Sequence, residues 1–573
     1  MSTSTATYER NSKTRRNRWR RYYYARCQDI FIESPRKLAD FVVNNSLDYI
    51  TPVRQPPEAK EVENLYKELW DETGRADPPI PNGSTSGGLI HEYFPPVVAE
   101  EINERLKKIR NESSVGPDGL EKKHLQIPGL PIVLALSFNI SFYTSHYPEN
   151  WRMNRTTLTP KPNKDLDKAE NWRPITISPI LAIMFSSILD KSIRRGIVQN
   201  IRQKGFTSDN GCKINVDIFN ATLERCKKGQ GVVYTIVDIS KAFDTVPHSA
   251  IRPCLARKGT WTPITDLILN MCKGSKTEIK TKNGTGVEIE VSRGVKQGDP
   301  LSPLIFNLCL EPLLEAFERS TEGINISNNY KIPILAFAND IVLLGRDQKE
   351  AQRQLAMVQE YLEGLGTSIS GDKSQTFQVV SKRDTWYVRG PEIELTNKRI
   401  PYIAPEDTFR YLLAKIGPCR EMNCGIIVPE IVSTIKRTKK LSLKPGQKMK
   451  LLQKYVLPRY IYNLLISPPS DRVLKILDSE IRQEIKGILH LTPSTSVGFF
   501  YTPKNNGGLG LPRFEHLVKL GNLNNALKMK ESSDPAAAGL IDPSTQLRLE
   551  KIANLLRINK PAISVDVEQP RGE

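Results

Sequence analysis

The sequence predicts an α+β fold, and three observations carry that reading. Segments rich in β-branched residues and closed by polar or acidic residues fall between about residue 231 and residue 418. Beyond about 420 the apolar residues recur at helical spacing instead. Ahead of both runs a basic extension of about 73 residues that lacks such segments. Strands gathered in one stretch and helices in another are the pattern of α+β architecture.

Taken in chain order, the first element is the extension at 1–73. Its cations include Arg15, Arg16, Arg18, Arg20 and Arg21, interleaved with Trp19 and three tyrosines, Tyr22 to Tyr24. Cations for phosphates and flat rings for bases make a nucleic-acid-binding arm; a solvated basic helix or a localisation signal has the same composition. A linker follows at 74–88, too rich in Gly, Pro and Ser for regular structure. Ala99 to Arg110 reads as a helix with Ile102, Leu106 and Ile109 on one face, and Leu130 to Tyr143 as a buried helix. Val232 to Ile239 reads as a strand, and Ile334 to Leu344 as a tight hairpin around Ala338-Asn339-Asp340. Arg293 to Pro303 is a Gly- and Pro-punctuated loop that opens a helix. Behind Pro468-Pro469-Ser470, residues Val473, Ile476, Leu477, Ile481, Ile485 and Ile488 place an apolar stripe on a helix. Lys444, Lys448 and Arg459 belong to a densely basic stretch in this last part.

Composition narrows the function. The chain has 573 residues, enough for about three or four domains. Lys and Arg number 82 against 63 Asp and Glu, a net charge of +19, which points to a polyanionic partner, usually nucleic acid. No apolar run reaches the roughly 20 residues of a membrane span. The basic first 30 residues lack the apolar centre of a secretory signal. The eight cysteines are scattered without a C-x-x-C pair, so neither a zinc knuckle nor a disulfide framework is indicated. A reducing compartment, cytoplasm or nucleus, is expected.

Three segments carry chemistry. In Val237 to Asp244, Asp238 leaves a buried strand beside the backbone carbonyl of Ile239, an arrangement that can hold a hard divalent cation; an Asp capping the next turn is the plainer reading. Phe243, five residues on, can lie across such a site as a flat wall. In the Arg293 loop, Gly298 permits close approach of a ligand and Gln297 can hydrogen-bond a base or sugar. The hairpin brings further polar side chains, Asn339 and Asp340, out of a buried sheet. Two acidic residues on adjacent strands are the minimum for two-metal phosphoryl transfer.

The order of Asn171-Trp172-Arg173-Pro174-Ile175, the Asp238 strand, the Gln297-Gly298-Asp299-Pro300 loop and the Phe337-Ala338-Asn339-Asp340 hairpin resembles a reverse transcriptase. It is similar to those of non-LTR (LINE-type) retrotransposons, nearest the early-branching group with a restriction-like endonuclease that inserts into ribosomal RNA genes. Leu443-Lys444-Pro445, Leu457-Pro458-Arg459 and Gly507-Gly508-Leu509-Gly510-Leu511-Pro512 resemble that family's thumb, so the likeness spans about residues 90 to 530. It implies a right-hand polymerase: fingers at 89–230, palm at 231–418, helical thumb at 419–529 and a tail at 530–573, with the reverse transcriptase domain at about 142–418.

The resemblance also implies roles. Asp238, Asp340 and the Ile239 carbonyl would bind two Mg2+ ions, or Mn2+. Lys161 and Arg173 would hold the triphosphate of a deoxynucleoside triphosphate. Phe243 would sense its 2′ position, and Gln297 and Gly298 would shape its pocket. Lys373 would donate a proton to the leaving pyrophosphate, and Tyr411 and Leu412 would form the primer grip. Element RNA would be the template and target DNA the primer, in the nucleus after synthesis in the cytoplasm.

Two positions depart from the family. Its hairpin carries Phe/Tyr-Ala-Asp-Asp, and the first of those aspartates is Asn339 here; the glycine it places after Leu412 is Leu413. The expectation is therefore a truncated RNA-directed DNA polymerase impaired by the lost carboxylate, without an endonuclease. The alternative is a catalytically dead RNA- or DNA-binding derivative.

Overall fold

A computed structural model describes residues 21–44, 56–72 and 94–540 apart from short gaps, with residues 78 and 80 and a few positions between 547 and 554. The chain divides into two compact units, one spanning 53–405 and the other combining 1–52 with 406–573.

In the first unit the strands are β1 Met153–Pro160, β2 Trp172–Ile177, β3 Val232–Asp238, β4 Lys276–Lys280, β5 Gly286–Glu290, β6 Ile324–Ser327, β7 Tyr330–Ile332, β8 Ile334–Phe337, β9 Asp340–Gly345, β10 Gln375–Lys382, β11 Thr385–Arg389, β12 Glu394–Leu395 and β13 Lys398–Arg399. Five of them form a sheet in the order β11-β10-β3-β9-β8, antiparallel throughout. β3 is central, and its β-branched residues other than Ile236 are buried, on both faces. Val233 and Val237 join a large core with Leu355 and Val358 of the Gln348–Gly364 helix. On the other face Tyr234 meets Phe219 of the Gly211–Lys227 helix and stacks on Phe377. The expected strand and hairpin are thus both present, with the two-residue turn Ala338-Asn339 joining β8 to β9.

A second sheet runs β2-β1-β4-β5. Its β1–β4 pairing is parallel, Met153 opposite Lys276, so residues 276–290 join the strands of 153–177 rather than the five-stranded sheet. Local patterning cannot reveal this, because the pairing spans more than a hundred residues of chain. The Ala59–Trp70 helix lays Val62, Tyr66 and Trp70, spaced four apart, against this sheet.

The Ala99–Lys108 helix buries Ile102 and Leu106 as the spacing predicts. Leu130–Thr144 is helical too, but it is only half-buried. Leu134, Phe138 and Phe142 face the core, whereas Ile132, Leu136, Ile140 and Tyr143 are each more than half exposed. A helix apolar all round does not reveal which side is covered.

The second unit is helical. Helices at residues 21–33 and at Pro35–Val43 bury Cys27, Ile30, Phe31, Leu38 and Val42. These pack with Ile431, Ile435, Leu452, Val456 and Tyr460 from helices beyond 420. Asp471–Leu489 forms the expected helix with Leu477, Ile481, Ile485 and Ile488 buried; its stripe runs through Leu474, and Ile476 points outward, nearly half exposed. A short hairpin pairs Phe409–Tyr411 with Ala414–Ile416.

Candidate active site

The site grows from the end of β3. Its last residue, Asp238, lies directly opposite Asp340, the first residue of β9. Directly opposed residues share a sheet face with Cβ atoms about 4.5–5.5 Å apart, so two carboxylates are held side by side. Partial desolvation, and then the charge of Asp238, raise the Asp340 carboxyl above its ordinary value, although the residue is exposed. Lys373 Nζ stands 3.4 Å from Asp238 Oδ2. Past Asp238 the chain is pinned by two bonds: the Ser370 N–H donates to the Asp238 carbonyl (2.8 Å) and the Ser240 N–H to the Ser368 carbonyl (2.9 Å). Both come from the neighbours of Ile239, so its carbonyl lies outside that pair.

Asn339 sits at the hairpin tip beside these acids. The preceding Ala338 has φ 51°, a left-handed conformation that costs a residue with a Cβ roughly 1–3 kcal/mol. What holds it is Gln203. Its Oε1 accepts from the Ala338 N–H (2.7 Å) and the Gly205 N–H (2.9 Å), and its Nε2 donates to the Ala338 carbonyl (3.3 Å). Gly205 packs so closely that an added Cβ would fall 2.2 Å from Ala338 N.

Lys161, Arg173, Lys241 and Lys373 lie close enough to act on one another, and Lys373 is the one beside Asp238. Burial lowers the Lys161 pKa first, and the charges of Lys373, Arg173 and Lys241 lower it further. Lys161 is anchored through its backbone N–H to the Asn171 carbonyl (2.9 Å) and through Nζ to the Glu170 carbonyl (2.7 Å). Arg173, opposite Thr159 in the β1–β2 ladder, is exposed. A pocket of mutually repelling cations is one that an anion stabilises.

Phe243 lies one 3-10 turn beyond β3. Its ring stacks on Phe306 at 4.9 Å and 10° and meets Phe206 edge-on at 6.2 Å. The Gln297 carbonyl accepts from the Thr176 N–H (3.0 Å), which ties the 293–303 loop to β2. Gly298 has φ 116°, and a Cβ there would stand 2.8 Å from the Thr176 carbonyl oxygen, so glycine is required twice over. Asp299 is structural: it accepts from Ser186 Oγ (2.5 Å) and the Leu301 N–H (2.9 Å) at the start of the Ser302–Ser320 helix.

The remaining expected residues lie in the other unit. Tyr411 and Leu412 are buried at the short hairpin, where Leu412 (φ 46°) and Leu413 (φ 70°) form a two-residue turn with positive φ at both positions. Tyr462 OH donates to the Leu412 carbonyl (2.8 Å). Lys444 is exposed, Lys448 Nζ donates to the Lys439 carbonyl (2.6 Å), and Arg459 pairs with Asp40 at 2.5 Å. Arg21 is exposed on its helix; Arg15, Arg16, Arg18, Trp19 and Arg20 lie outside the described residues.

Sequence reasoning missed Gln203, Trp70, Asp244 and Arg293. Arg293 is fully buried and donates to the carbonyls of Thr245, Leu365 and Gly366. An Arg in a loop reads as a solvated cation, and nothing local marks it otherwise.

Among the described residues no group of three or more His, Cys, Asp and Glu forms a metal cluster. Two carboxylates and a nearby backbone carbonyl nonetheless suit a hard, oxygen-seeking divalent ion, and their mutual repulsion is what such an ion relieves. The residues fit the cation.

The site thus pairs two acids at the end of an antiparallel sheet, with Lys373 beside Asp238 and Phe243 on the turn that follows the strand. Residues 159–413 match the reverse transcriptase (RNA-dependent DNA polymerase) family, and the wider chain is similar to the Pol polyproteins of R2 retrotransposable elements. It is 32% identical over 458 residues to the Retrovirus-related Pol polyprotein from type-1 retrotransposable element R2 of Popillia japonica, covering 78% of this chain and 62% of that protein. The corresponding polyprotein of Nasonia vitripennis is 28% identical, with 75% and 42% covered. That of the type-2 element R2DM of Drosophila melanogaster is 26% identical, with 78% and 42% covered. The chain spans between about two fifths and three fifths of these relatives' length. Among the described residues no helix is long and apolar enough to cross a membrane.

Proposed function

We propose that the chain is an RNA-directed DNA polymerase domain protein of a non-LTR retrotransposon, a nucleotidyltransferase impaired by Asn339. The observation that carries the reading is the placement of Asp238 opposite Asp340 with an amide, Asn339, at the adjoining hairpin tip. On this reading the five-stranded sheet is the palm, the four-stranded sheet belongs to the fingers, and the helical unit is the thumb. Asp238, Asp340 and the Ile239 carbonyl would hold Mg2+, which when bound stabilises charge developing on the phosphoryl oxygens.

The chain's own side chains do the rest. Lys161 and Arg173 bind the triphosphate, and Gln297 and Gly298 bound the base and sugar. Phe243, backed by Phe306, closes the space at the 2′ position. Lys373 is placed to deliver a proton to the leaving pyrophosphate. Tyr411 and Leu412 support the primer end, and Arg21, Lys444 and Lys448 bind phosphates. Arg459, tied to Asp40, serves the fold of its unit first. The template is RNA, the primer DNA and the working compartment the nucleus.

Asn339 favours a second reading, in which nucleic-acid binding persists after chemistry is lost. Primer extension on an RNA template separates the two. The polymerase reading expects slow, Mg2+-dependent extension that Asp238→Ala abolishes, and stronger extension by Asn339→Asp. Binding of template–primer with no extension by either the parent chain or the Asn339→Asp variant supports the binding-only reading.

A further inference from the structure

The segment before the matched family region reaches into the site from outside. Trp70, at the end of the Ala59–Trp70 helix, donates its indole N–H to Asp244 Oδ1 at 3.3 Å, and both side chains are buried. Asp244 is the residue after Phe243 and lies on the same 3-10 turn. Trp70 is itself fixed: its carbonyl accepts from the Ser292 N–H (3.1 Å) and Oγ (2.9 Å), and its ring contacts Tyr66 at 4.6 Å. Two residues on, the Glu72 carboxylate accepts from the His248 N–H (3.1 Å) and from the Ser249 N–H (3.2 Å) and Oγ (2.8 Å), at the start of the His248–Arg257 helix. Residues 70–72 therefore tether the turn bearing Phe243 at Asp244 and again just beyond its end, at His248 and Ser249.

We propose that Trp70 is a positioning residue for nucleotide selection: through Asp244 it fixes the turn that aims Phe243 at the sugar of the incoming nucleotide. The inference rests on the polymerase reading above. Buried Asp244 has little water to replace a lost donor, so removing the indole N–H frees the turn to shift. A ring displaced by a fraction of an ångström would admit a 2′-hydroxyl that the native wall excludes.

The test uses the full chain with fluorophenylalanine at position 243, read by fluorine NMR, which needs no catalysis. Trp70→Phe should move or broaden that resonance. Asp244→Asn, whose amide oxygen still accepts the indole N–H, should leave it near its original position. Asp244→Leu removes the acceptor with an apolar side chain of similar size, and should move it even where Trp70→Phe fails to fold. In the Asn339→Asp background, Trp70→Phe should raise KM for deoxynucleotides about tenfold with kcat within about twofold, and cut discrimination against ribonucleotides about tenfold. An unmoved resonance in both Trp70→Phe and Asp244→Leu overturns the proposal. Absence of polymerisation by the Asn339→Asp parent overturns the polymerase reading instead, and the resonance alone then decides whether Trp70 positions the ring.

Discussion

Three single residues show how far side-chain identity constrains this site. Asn339 puts an amide at the hairpin tip where the family places a carboxylate, so one negative charge is missing beside Asp238 and Asp340. Leu413 occupies the second position of a turn with positive φ at both central residues, where glycine is the unstrained choice. Leu413 is half exposed, so little packing offsets the strain. Leu413→Gly should therefore stabilise the chain by about 1 kcal/mol after the entropy of the unfolded glycine is subtracted, seen as a higher urea midpoint. The departure at 413 was legible in the sequence, and the backbone supplies its physical cost. Gln203 is the opposite case: no sequence signal marks it, yet it accepts two backbone N–H bonds at the hairpin. Gln203→Leu strands both donors and should cost about 2 kcal/mol or more, with faster hydrogen exchange at the Ala338 amide as the local readout.

At the scale of elements, strands and helices with local patterns were legible: Val232–Asp238, the Ile334–Gly345 hairpin and Asp471–Leu489 all form where apolar periodicity places them. Pairings across distance were not. Nothing near residue 276 announces a parallel partner at 153, and nothing near Trp70 announces Asp244. That last contact has a pH signature. Burial raises the Asp244 carboxyl to about 6 from an unfolded value of 3.8. The folded state thus holds its proton more tightly, and the group's contribution to stability falls as pH rises from about 4 to about 6, then levels. Each pH step of one between those values is worth roughly 1.4 kcal/mol, so the loss is about 3 kcal/mol. Asp244→Asn removes this dependence. The stability of the parent minus that of Asp244→Asn, from urea unfolding, should decline across this window; a flat difference would mean the carboxyl is solvated.

For the whole molecule, charge and chemistry point the same way. On the proposed function, a net charge of +19 would make phosphate contact the dominant source of nucleic-acid affinity. The logarithm of affinity for a template–primer should fall by about one per tenfold rise in salt for each phosphate contact; salt-independent binding would contradict that role. The family and the positions of its acids were legible because motifs in a fixed order survive divergence. That Asp238 and Asp340 come together was expected as well, and the sheet register sets them directly opposite one another. The central claim is that this sheet end is a nucleotidyl-transfer centre lacking one carboxylate. Its most direct test is the single-turnover rate of nucleotide incorporation with Mg2+ by the parent chain and by Asn339→Asp. A restored metal ligand worth about 4 kcal/mol predicts an increase of about a thousandfold; equal rates in the two proteins would contradict the account.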